Sequence, residues 1–335
     1  MKMTILSGLP RSGKSTYANT INAVKISRDT IREEFYGTKN NMEHEEEVTE
    51  VFNKRLIELL KNKEDIVIDN TNLKCKYVQP FIELANKYNY EVLIIRFFTD
   101  FITLWKRAEE SNFPIGVINR MASSQEMWKF ERFGVEIKDV VLKNHVLQDL
   151  YSLMENFNQH NPHHTDDLLT HSNKVAEYVI KNEVYKDINI FYKDKLYTTF
   201  LLHDIGKLMA VDKSEDIWTY YGHERASWYI GKCYYEKGWD SMYPELMLLH
   251  MDKFKLKNGM KINKWLHEVY EIWKTISDFH LFKDFLNGIY NLWIADSICH
   301  ENADIKWLED LIEEIKEHSM QFMRKKSLSD LEKVI

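Results

Sequence analysis

The amino-acid sequence predicts an α/β domain built on a parallel sheet with flanking helices, followed by a domain made only of helices. Three observations lead to this prediction. The first 150 residues alternate short apolar runs with helical stretches, and a glycine-rich loop follows the first run. After about residue 144 the strand patterns nearly disappear, and helical segments rich in Leu, Tyr and Trp take over. The 335 residues are enough for two domains with separate cores, so we expect domains at 1–145 and 146–335.

Short apolar runs define the strands of the first domain. They lie at 3–7, 23–27, 65–69 and 91–98. Continuous apolar runs of this length suit buried parallel strands. The predicted helices lie at 14–22, 30–36, 43–61, 76–88 and 101–110. Alternation at this pitch implies a parallel sheet with helices on both faces. The segment 156–165, with Pro162 and three histidines, is predicted to lead into the helical domain.

Composition narrows the class of protein. Hydrophobic residues make up 44% and charged residues 29%, as in soluble globular proteins. No apolar run reaches the roughly 18–20 residues of a membrane span, and the stretch before the glycine-rich loop is too short for a signal peptide. The widely separated Cys75, Cys233 and Cys299 indicate unpaired thiols in a reducing cytoplasm. We therefore expect a cytoplasmic protein with no membrane partner.

The charge is unevenly distributed along the chain. The net charge of −7 is carried by the residues after 150, because the first 150 residues are neutral overall. Proteins that bind nucleic acid along a broad surface usually carry a basic excess. Any contact with nucleic acid is therefore expected to be local, at a strand end or terminus.

The glycine-rich loop at residues 8–16 reads Gly-Leu-Pro-Arg-Ser-Gly-Lys-Ser-Thr, the pattern of a phosphate-binding loop. Its glycines let the backbone wrap around an anion, and the helix that follows directs its positive end at the same phosphates. We expect Lys14 to reach the β- and γ-phosphates of ATP or another NTP, and the Ser15 hydroxyl to hold Mg²⁺. The expected nucleotide-binding residues of the loop are Gly8, Arg11, Ser12, Gly13, Lys14, Ser15 and Thr16.

Polar residues follow the second and third predicted strands, where ligands of open α/β sheets bind. Asp29 opens a helix and could accept the proton of an attacking hydroxyl group, or it could be a plain helix N-cap. Arg32, one turn further along, could clamp an acceptor phosphate, although a lone arginine here is also typical of a surface.

Six residues of the second half are candidate metal ligands: His171, His203, Asp204, His223, His250 and Asp296. The adjacent pair His203-Asp204 is predicted to lie on one helix, where converging helices could complete an ion site. Imidazole and carboxylate together suit Mn, Fe, Co, Ni or Zn better than Ca. Lys207, one turn beyond the pair, could steady a developing negative charge.

The motifs of the first domain resemble the kinase module of 5′-OH polynucleotide kinases, which heal broken RNA and DNA ends. The resemblance covers about 130 residues and rests on the loop, on Ser-Arg-Asp-x-x-Arg at 27–32 and on Asp-x-Thr-Asn-Leu at 69–73. It implies that Asp29 is the general base and that Arg32 contacts the phosphate next to the acceptor nucleoside. Asp69 or Asn70 would lie near the metal and the acceptor.

The same resemblance implies a lid helix over the ATP phosphates. Arg107 and Arg120 match arginines of this lid, whereas Ser111 stands where some members carry another arginine. Zeta-toxin-like kinases and small-metabolite kinases share the same skeleton, so the acceptor class is not fixed by these motifs.

The ligand candidates of the second domain resemble the HD phosphohydrolase superfamily, with spacings of 32, 20, 27 and 46 residues. By this resemblance His171, His203, Asp204 and Asp296 hold one divalent metal. His223 and His250 would hold a second, with Asp204 bridging. The segment 161–164 also resembles the start of this superfamily, and His164 either lines the site or stabilises a loop.

Together the two resemblances imply a bifunctional enzyme that heals nucleic-acid ends. One domain would phosphorylate 5′-OH ends, and the other would remove a 2′,3′-cyclic phosphate or a 2′- or 3′-phosphate. The expected partners are RNA ends before DNA ends and a separate ligase, in the cytoplasm of a bacterial or phage-infected cell. Two alternatives stay open: a nucleotide or small-metabolite kinase fused to an HD nucleotidase, and an HD hydrolase gated by ATP.

Overall fold

The computed structural model describes residues 1–39, 42–160, 166–188, 193–299 and 305–332. The chain divides into two compact units, Met1–His145 and Val146–Ile335. His164, predicted either to line the second site or to stabilise a loop, lies outside the described residues.

A five-stranded sheet forms the centre of the first unit. Its strands are β1 (Lys2–Gly8), β2 (Val24–Ile26), β3 (Ile66–Asp69), β4 (Glu91–Thr99) and β5 (Glu136–Leu142). The spatial order is β2-β3-β1-β4-β5, and every neighbouring pair is parallel. The predicted parallel sheet is therefore confirmed. Since β1 lies centrally, the loop that follows it opens at the middle of the sheet edge where ligands of such sheets bind.

Helices connect the parallel strands, as crossovers of this kind require. They are α1 (Lys14–Ala18), α2 (Arg28–Tyr36), α3 (Glu45–Lys61), α4 (Cys75–Lys87), α5 (Phe101–Glu110), α6 (Ile115–Ser124) and a 3₁₀-helix (Met127–Phe133). Apolar side chains of β1, β3 and β4 pack with Ala18 of α1 into one core cluster. This packing fixes the direction of α1 relative to the sheet, and with it the phosphate-binding loop.

The strand β5 was not predicted from the sequence, because its residues alternate between partly buried and exposed instead of forming an apolar run. An ion-pair network attaches it to the sheet. Arg96 of β4, with a side chain only 3% exposed, donates to both carboxylate oxygens of Asp139 at 2.7 and 3.0 Å. The same guanidinium donates to Glu131 of the 3₁₀-helix at 2.7 Å. One buried arginine therefore joins β4, the 3₁₀-helix and β5.

The described part of the second unit is helical. Its helices are α7 (Leu147–Met154), α8 (Leu168–Lys181), α9 (Val184–Asp187), α10 (Lys193–Leu202), α11 (Lys207–Ala210), α12 (His223–Tyr234), α13 (Met242–Leu249), α14 (Asp252–Lys257), α15 (Ile262–Trp273), α16 (Phe282–Ile298) and α17 (Lys306–Glu332). Three fully buried tryptophans, Trp228, Trp265 and Trp293, fill its core. Within the described ranges, no helix combines the length and apolar character needed to cross a membrane.

Replacing Arg96 with Met should lower the free energy of unfolding of the first unit by about 3 kcal/mol, because the buried carboxylate of Asp139 loses its charged partner. Native-state hydrogen exchange of the β4 and β5 amides measures this change. The matched control is Arg55→Met, since the pair of Arg55 with Glu34 is largely exposed and its loss should cost about 1 kcal/mol or less. Equal effects of the two substitutions would contradict the role given to Arg96.

Candidate active sites

The phosphate-binding loop runs from the end of β1 into α1. Gly13 has φ 95°, a left-handed conformation that favours glycine. The ammonium group of Lys14 is buried and donates to the carbonyl oxygens of Gly8 and Leu9 at 2.9 and 2.8 Å. Burial lowers the pKa of Lys14 to about 8, although the carboxylates of Asp69 and Asp29 act in the opposite direction.

The remaining residues of the loop divide into buried and exposed groups. Ser12 is buried, and its carbonyl oxygen accepts from the Thr99 hydroxyl at 3.1 Å. Ser15 and Thr16 are exposed in the first turn of α1, where their hydroxyl groups are accessible to a nucleotide–metal complex. Arg11 is exposed, and its guanidinium lies 4.9 Å from the centre of the Phe113 ring.

The segment after β3 is held against this loop by hydrogen bonds. Asn72 donates to the Leu6 carbonyl at 2.8 Å, and the Ser7 hydroxyl donates to the Asn72 carbonyl at 2.9 Å. Asp69 is buried at the end of β3. Asn70 accepts from the backbone N–H of Arg28 at 3.0 Å and so connects the ends of β2 and β3.

Asp29 lies in the first turn of α2, with 64% of its side chain exposed. It is not the N-cap, because Ser27 occupies that position and its hydroxyl accepts from the backbone N–H of Asp29 at 3.2 Å. The carboxylate of Asp29 is therefore not engaged in capping, and its negative charge acts to raise the pKa of Lys14, against the larger effect of burial.

Arg32 is buried within a cluster of carboxylates. It is therefore neither an exposed surface arginine nor, in this structure, an arginine open to a phosphate. Its Nε and Nη2 donate to the two oxygens of Glu45 at 2.6 and 3.3 Å, and its Nη1 donates to Asp29 at 2.5 Å. The Lys39 carbonyl also accepts from Nη1 at 3.4 Å. As it stands, the guanidinium faces protein groups on every nitrogen.

The two arginines assigned to a lid lie on α5 and α6. Arg107 donates to the carbonyl oxygen of Arg11 at 2.9 Å and so lies directly against the phosphate-binding loop. Arg120 is exposed on α6. The structure thus brings Arg107 to the loop in its present form, whereas the role of Arg120 stays a prediction.

The six candidate metal ligands of the second unit form two groups with one shared member. His171, His203, Asp204 and Asp296 form the first group, and Asp204, His223 and His250 form the second. In each group the donor atoms lie within 4.8 Å of one another, and all six side chains are buried.

Asp204 directs a different oxygen at each group. Its Oδ1 lies 3.0 Å from His223 Nε2 and 3.2 Å from His250 Nε2. Its Oδ2 lies 3.5 Å from His203 Nε2 and 3.7 Å from His171 Nε2. This is the arrangement expected of a carboxylate that bridges two cations.

The hydrogen bonds of three histidines leave their Nε2 atoms as the atoms that face the cluster. His203, His223 and His250 each place Nδ1 at 2.6–2.8 Å from a backbone carbonyl oxygen. A carbonyl cannot donate, so each Nδ1 carries a hydrogen and Nε2 is the ring atom that could bind a cation. The Nε2 atoms of His223 and His250 are 2.9 Å apart, close enough to share a proton or to bind the same cation. His203 Nε2, also buried, has no hydrogen-bond partner among the described residues. These donors fit divalent transition metals.

Two buried lysines pair with the carboxylates of the cluster. Lys207 lies 2.7 Å from Asp204 Oδ2, and Lys253 lies 2.6 Å from Asp296 Oδ2. Burial alone would raise the pKa of Asp204 and Asp296, but the lysines and the neighbouring histidines outweigh it and hold both pKa values well below their ordinary range. Both carboxylates are therefore anionic and available as ligands.

Sequence reasoning missed Lys253, which also donates to the Ser297 hydroxyl at 2.8 Å. A lysine near Asp252 and Lys255 is typical of an exposed helix, so the local sequence did not indicate that Lys253 is buried. Its spacing could have indicated a role, because Lys253 follows His250 by three residues, as Lys207 follows Asp204.

The expectation that His203 and Asp204 share a helix was wrong. The helix α10 ends at Leu202, and both residues lie in the turn that leads to α11. The turn packs closely against α12. The backbone N–H of Gly206 donates to the Ser227 hydroxyl at 2.9 Å, and a Cβ on Gly206 would lie 2.1 Å from the His223 carbonyl oxygen. The turn can therefore pack against α12 only with glycine here.

Comparison with known proteins bears on the first unit. The family described as an AAA domain matches residues 3–126. The first unit is a P-loop kinase-like domain. One similar solved structure, described as a Pnkp1/Rnl/Hen1 complex, shares 32% identity over 32% of this chain and 38% of that chain, with a TM-score of 0.29. Another, described as the Pnkp1/Rnl/Hen1 RNA repair complex, shares 30% identity over 33% and 37%, with a TM-score of 0.30. This chain thus matches less than half the length of either protein.

Replacing Gly206 with Ala should weaken Mn²⁺ binding by the full-length protein more than about tenfold, because the new Cβ displaces the backbone of His223. Calorimetric titration measures this affinity. Gly116→Ala is the control, since a Cβ there meets open space, and it should bind Mn²⁺ like wild type. An unchanged affinity in Gly206→Ala would show that the turn does not position the ligands.

Proposed function

We propose that the protein heals nucleic-acid ends, with a 5′-hydroxyl kinase in the first unit and a metal-dependent phosphohydrolase in the second. The observation that supports this proposal is that one chain contains both a phosphate-binding loop near an exposed carboxylate and, in its second unit, a cluster of six buried candidate metal ligands.

The kinase part of the proposal rests on Asp29 and Lys14. The exposed carboxylate of Asp29 would accept the proton of the 5′-hydroxyl as its oxygen attacks the γ-phosphorus of ATP. The bond from the γ-phosphorus to the β–γ bridging oxygen breaks, and ADP leaves. Lys14 would hold the β- and γ-phosphates, and the Ser15 hydroxyl would hold Mg²⁺, which would balance part of their charge.

The phosphohydrolase part rests on the bridging position of Asp204. His171, His203 and Asp296 would complete one metal site, and His223 with His250 the other. When bound, the metals would lower the pKa of a water molecule and neutralise phosphate oxygens. Because Lys207 and Lys253 already balance the two carboxylates, one or two divalent cations would leave the centre positive and attractive to a phosphate end.

The acceptor class distinguishes this proposal from its main alternative. A nucleotide or small-metabolite kinase fused to a nucleotidase would use the same catalytic groups, and the neutral charge of the first 150 residues favours a small acceptor. We propose polymer ends, RNA before DNA, because the motifs around Asp29 resemble polynucleotide kinases and because end recognition requires only local charge. A separate ligase would then join the healed ends.

The kinase is tested with [γ-³²P]ATP and a 5′-OH RNA oligonucleotide. Asp29→Asn should lower kcat about 10²–10⁴-fold because the general base is lost, and Lys14→Met should abolish detectable labelling. Asp204→Asn should label the oligonucleotide like wild type. Labelling of mononucleotides but not of oligonucleotides by wild type would favour the small-acceptor alternative, and no labelling of either would contradict the kinase.

The phosphohydrolase is tested with RNA ending in a 2′,3′-cyclic phosphate or a 3′-phosphate, in the presence of Mn²⁺ or Ni²⁺. Wild type should release the phosphate or open the ring, and Asp204→Asn should lose the activity because both metal sites lose their shared ligand. Lys14→Met should retain it. A hydrolase that works only when ATP is added would instead favour the gated alternative.

A further inference from the structure

Lys253 is a buried lysine whose ammonium group is fully used within the protein. Its side chain is only 1% exposed. The ammonium donates to Asp296 Oδ2 at 2.6 Å, to the Ser297 hydroxyl at 2.8 Å and to the Trp293 carbonyl at 3.3 Å. An ammonium has three hydrogens, and these three acceptors, all on α16, account for them. Lys253 is therefore placed to act on α16 and not on a substrate.

Asp296 directs its two oxygens at different partners. Its Oδ2 faces Lys253, whereas its Oδ1 lies 3.3 Å from His171 Nε2 and 3.5 Å from His203 Nε2. A carboxylate can bind one cation through a single oxygen or through both. Because a charged hydrogen bond holds Oδ2, Oδ1 is the oxygen that Asp296 can offer to a cation bound with the two histidines.

A second contact places Lys253 between the two groups of candidate ligands. The indole nitrogen of Trp293 donates to the Leu249 carbonyl at 3.0 Å, and the carbonyl of Trp293 accepts from Lys253. The helix α16 is thus attached to the chain on both sides of His250, a member of the second group. The segment 249–253 therefore connects His250 of the second group with Asp296 of the first.

We propose that Lys253 is a positioning residue that restricts Asp296 to binding a cation through one oxygen, which keeps room on the cation for water or a phosphate oxygen. This inference rests on the metal centre of the proposed function. Without Lys253, the buried carboxylate of Asp296 would lose its cationic partner and could turn both oxygens toward the metal. The metal would then be held more tightly but would have less room for a substrate.

The test measures the Mn²⁺ affinity of the full-length protein by calorimetric titration and counts the water molecules on bound Mn²⁺ by water-proton relaxation. Lys253→Met should tighten Mn²⁺ binding about tenfold or more, because the metal then replaces the lost positive charge beside Asp296. It should also remove about one water molecule from bound Mn²⁺, since the second carboxylate oxygen takes its place. Replacing a residue that only supported the fold would instead weaken Mn²⁺ binding.

Lys255→Met is the matched control, because Lys255 lies on the same helix, pairs with the buried Asp252 at 2.6 Å and is itself exposed. It should bind Mn²⁺ like wild type, with an unchanged water count. Ser297→Ala keeps the charge of Lys253 but removes one of its acceptors, so its water count should fall between those of wild type and Lys253→Met. It is the reporting variant if Lys253→Met does not fold.

Weaker Mn²⁺ binding in Lys253→Met would overturn the assignment. An unchanged water count in the reporting variant would overturn it as well, because Lys253 would then act through its charge alone. Absence of Mn²⁺ binding by wild type would overturn the metal centre and this inference together. Failure of the proposed function is a different result, because wild type would then bind Mn²⁺ but release no phosphate from RNA ends.

Discussion

The second unit is organised around one buried carboxylate. The side chain of Asp204 is only 3% exposed, and a buried anion is stable only where opposite charges and hydrogen-bond donors surround it. Lys207 supplies the charge at one oxygen, and two histidines approach each of the two oxygens. These neighbours come from α8, the turn after α10, α11, α12 and the end of α13, so one carboxylate contacts side chains from five segments. The histidines that surround the anion are also those that would bind cations.

Buried strands of the sheet could be predicted from the sequence, whereas the edge strand β5 could not. The strand β3 is buried along its whole length, and its nearly continuous run of apolar residues was enough to predict it. The strand β5 lies at the sheet edge, where one side stays accessible and apolar residues need not be consecutive. Its attachment depends on Arg96 and Asp139, which are far apart in the sequence, and the pairing of such residues leaves no local pattern.

For the candidate sites, the sequence indicated which residues take part but not how they are arranged. The six metal-ligand candidates could be selected because their order and spacing resemble the HD phosphohydrolase superfamily. The structure brings all six together, and metal binding itself stays a prediction. Their local geometry could not be predicted, since α10 ends before His203 and the turn that follows packs against α12, which is far from it in the sequence. Lys253 was overlooked because its burial against Asp296 results from tertiary packing. The residues next to it in the sequence do not indicate this burial.

Under the proposed function, the two units would bind phosphate by different uses of charge. In the second unit buried lysines balance the carboxylates, so bound cations would make the centre positive. In the first unit, Arg32, Arg55 and Arg96 pair with carboxylates within the fold, and the first 150 residues carry no net charge. Lys14 and Arg107, by contrast, donate to carbonyl oxygens of the phosphate-binding loop. A local placement of positive charge without a basic excess would favour contact with the terminal nucleotide of a strand over contact with the rest of the strand.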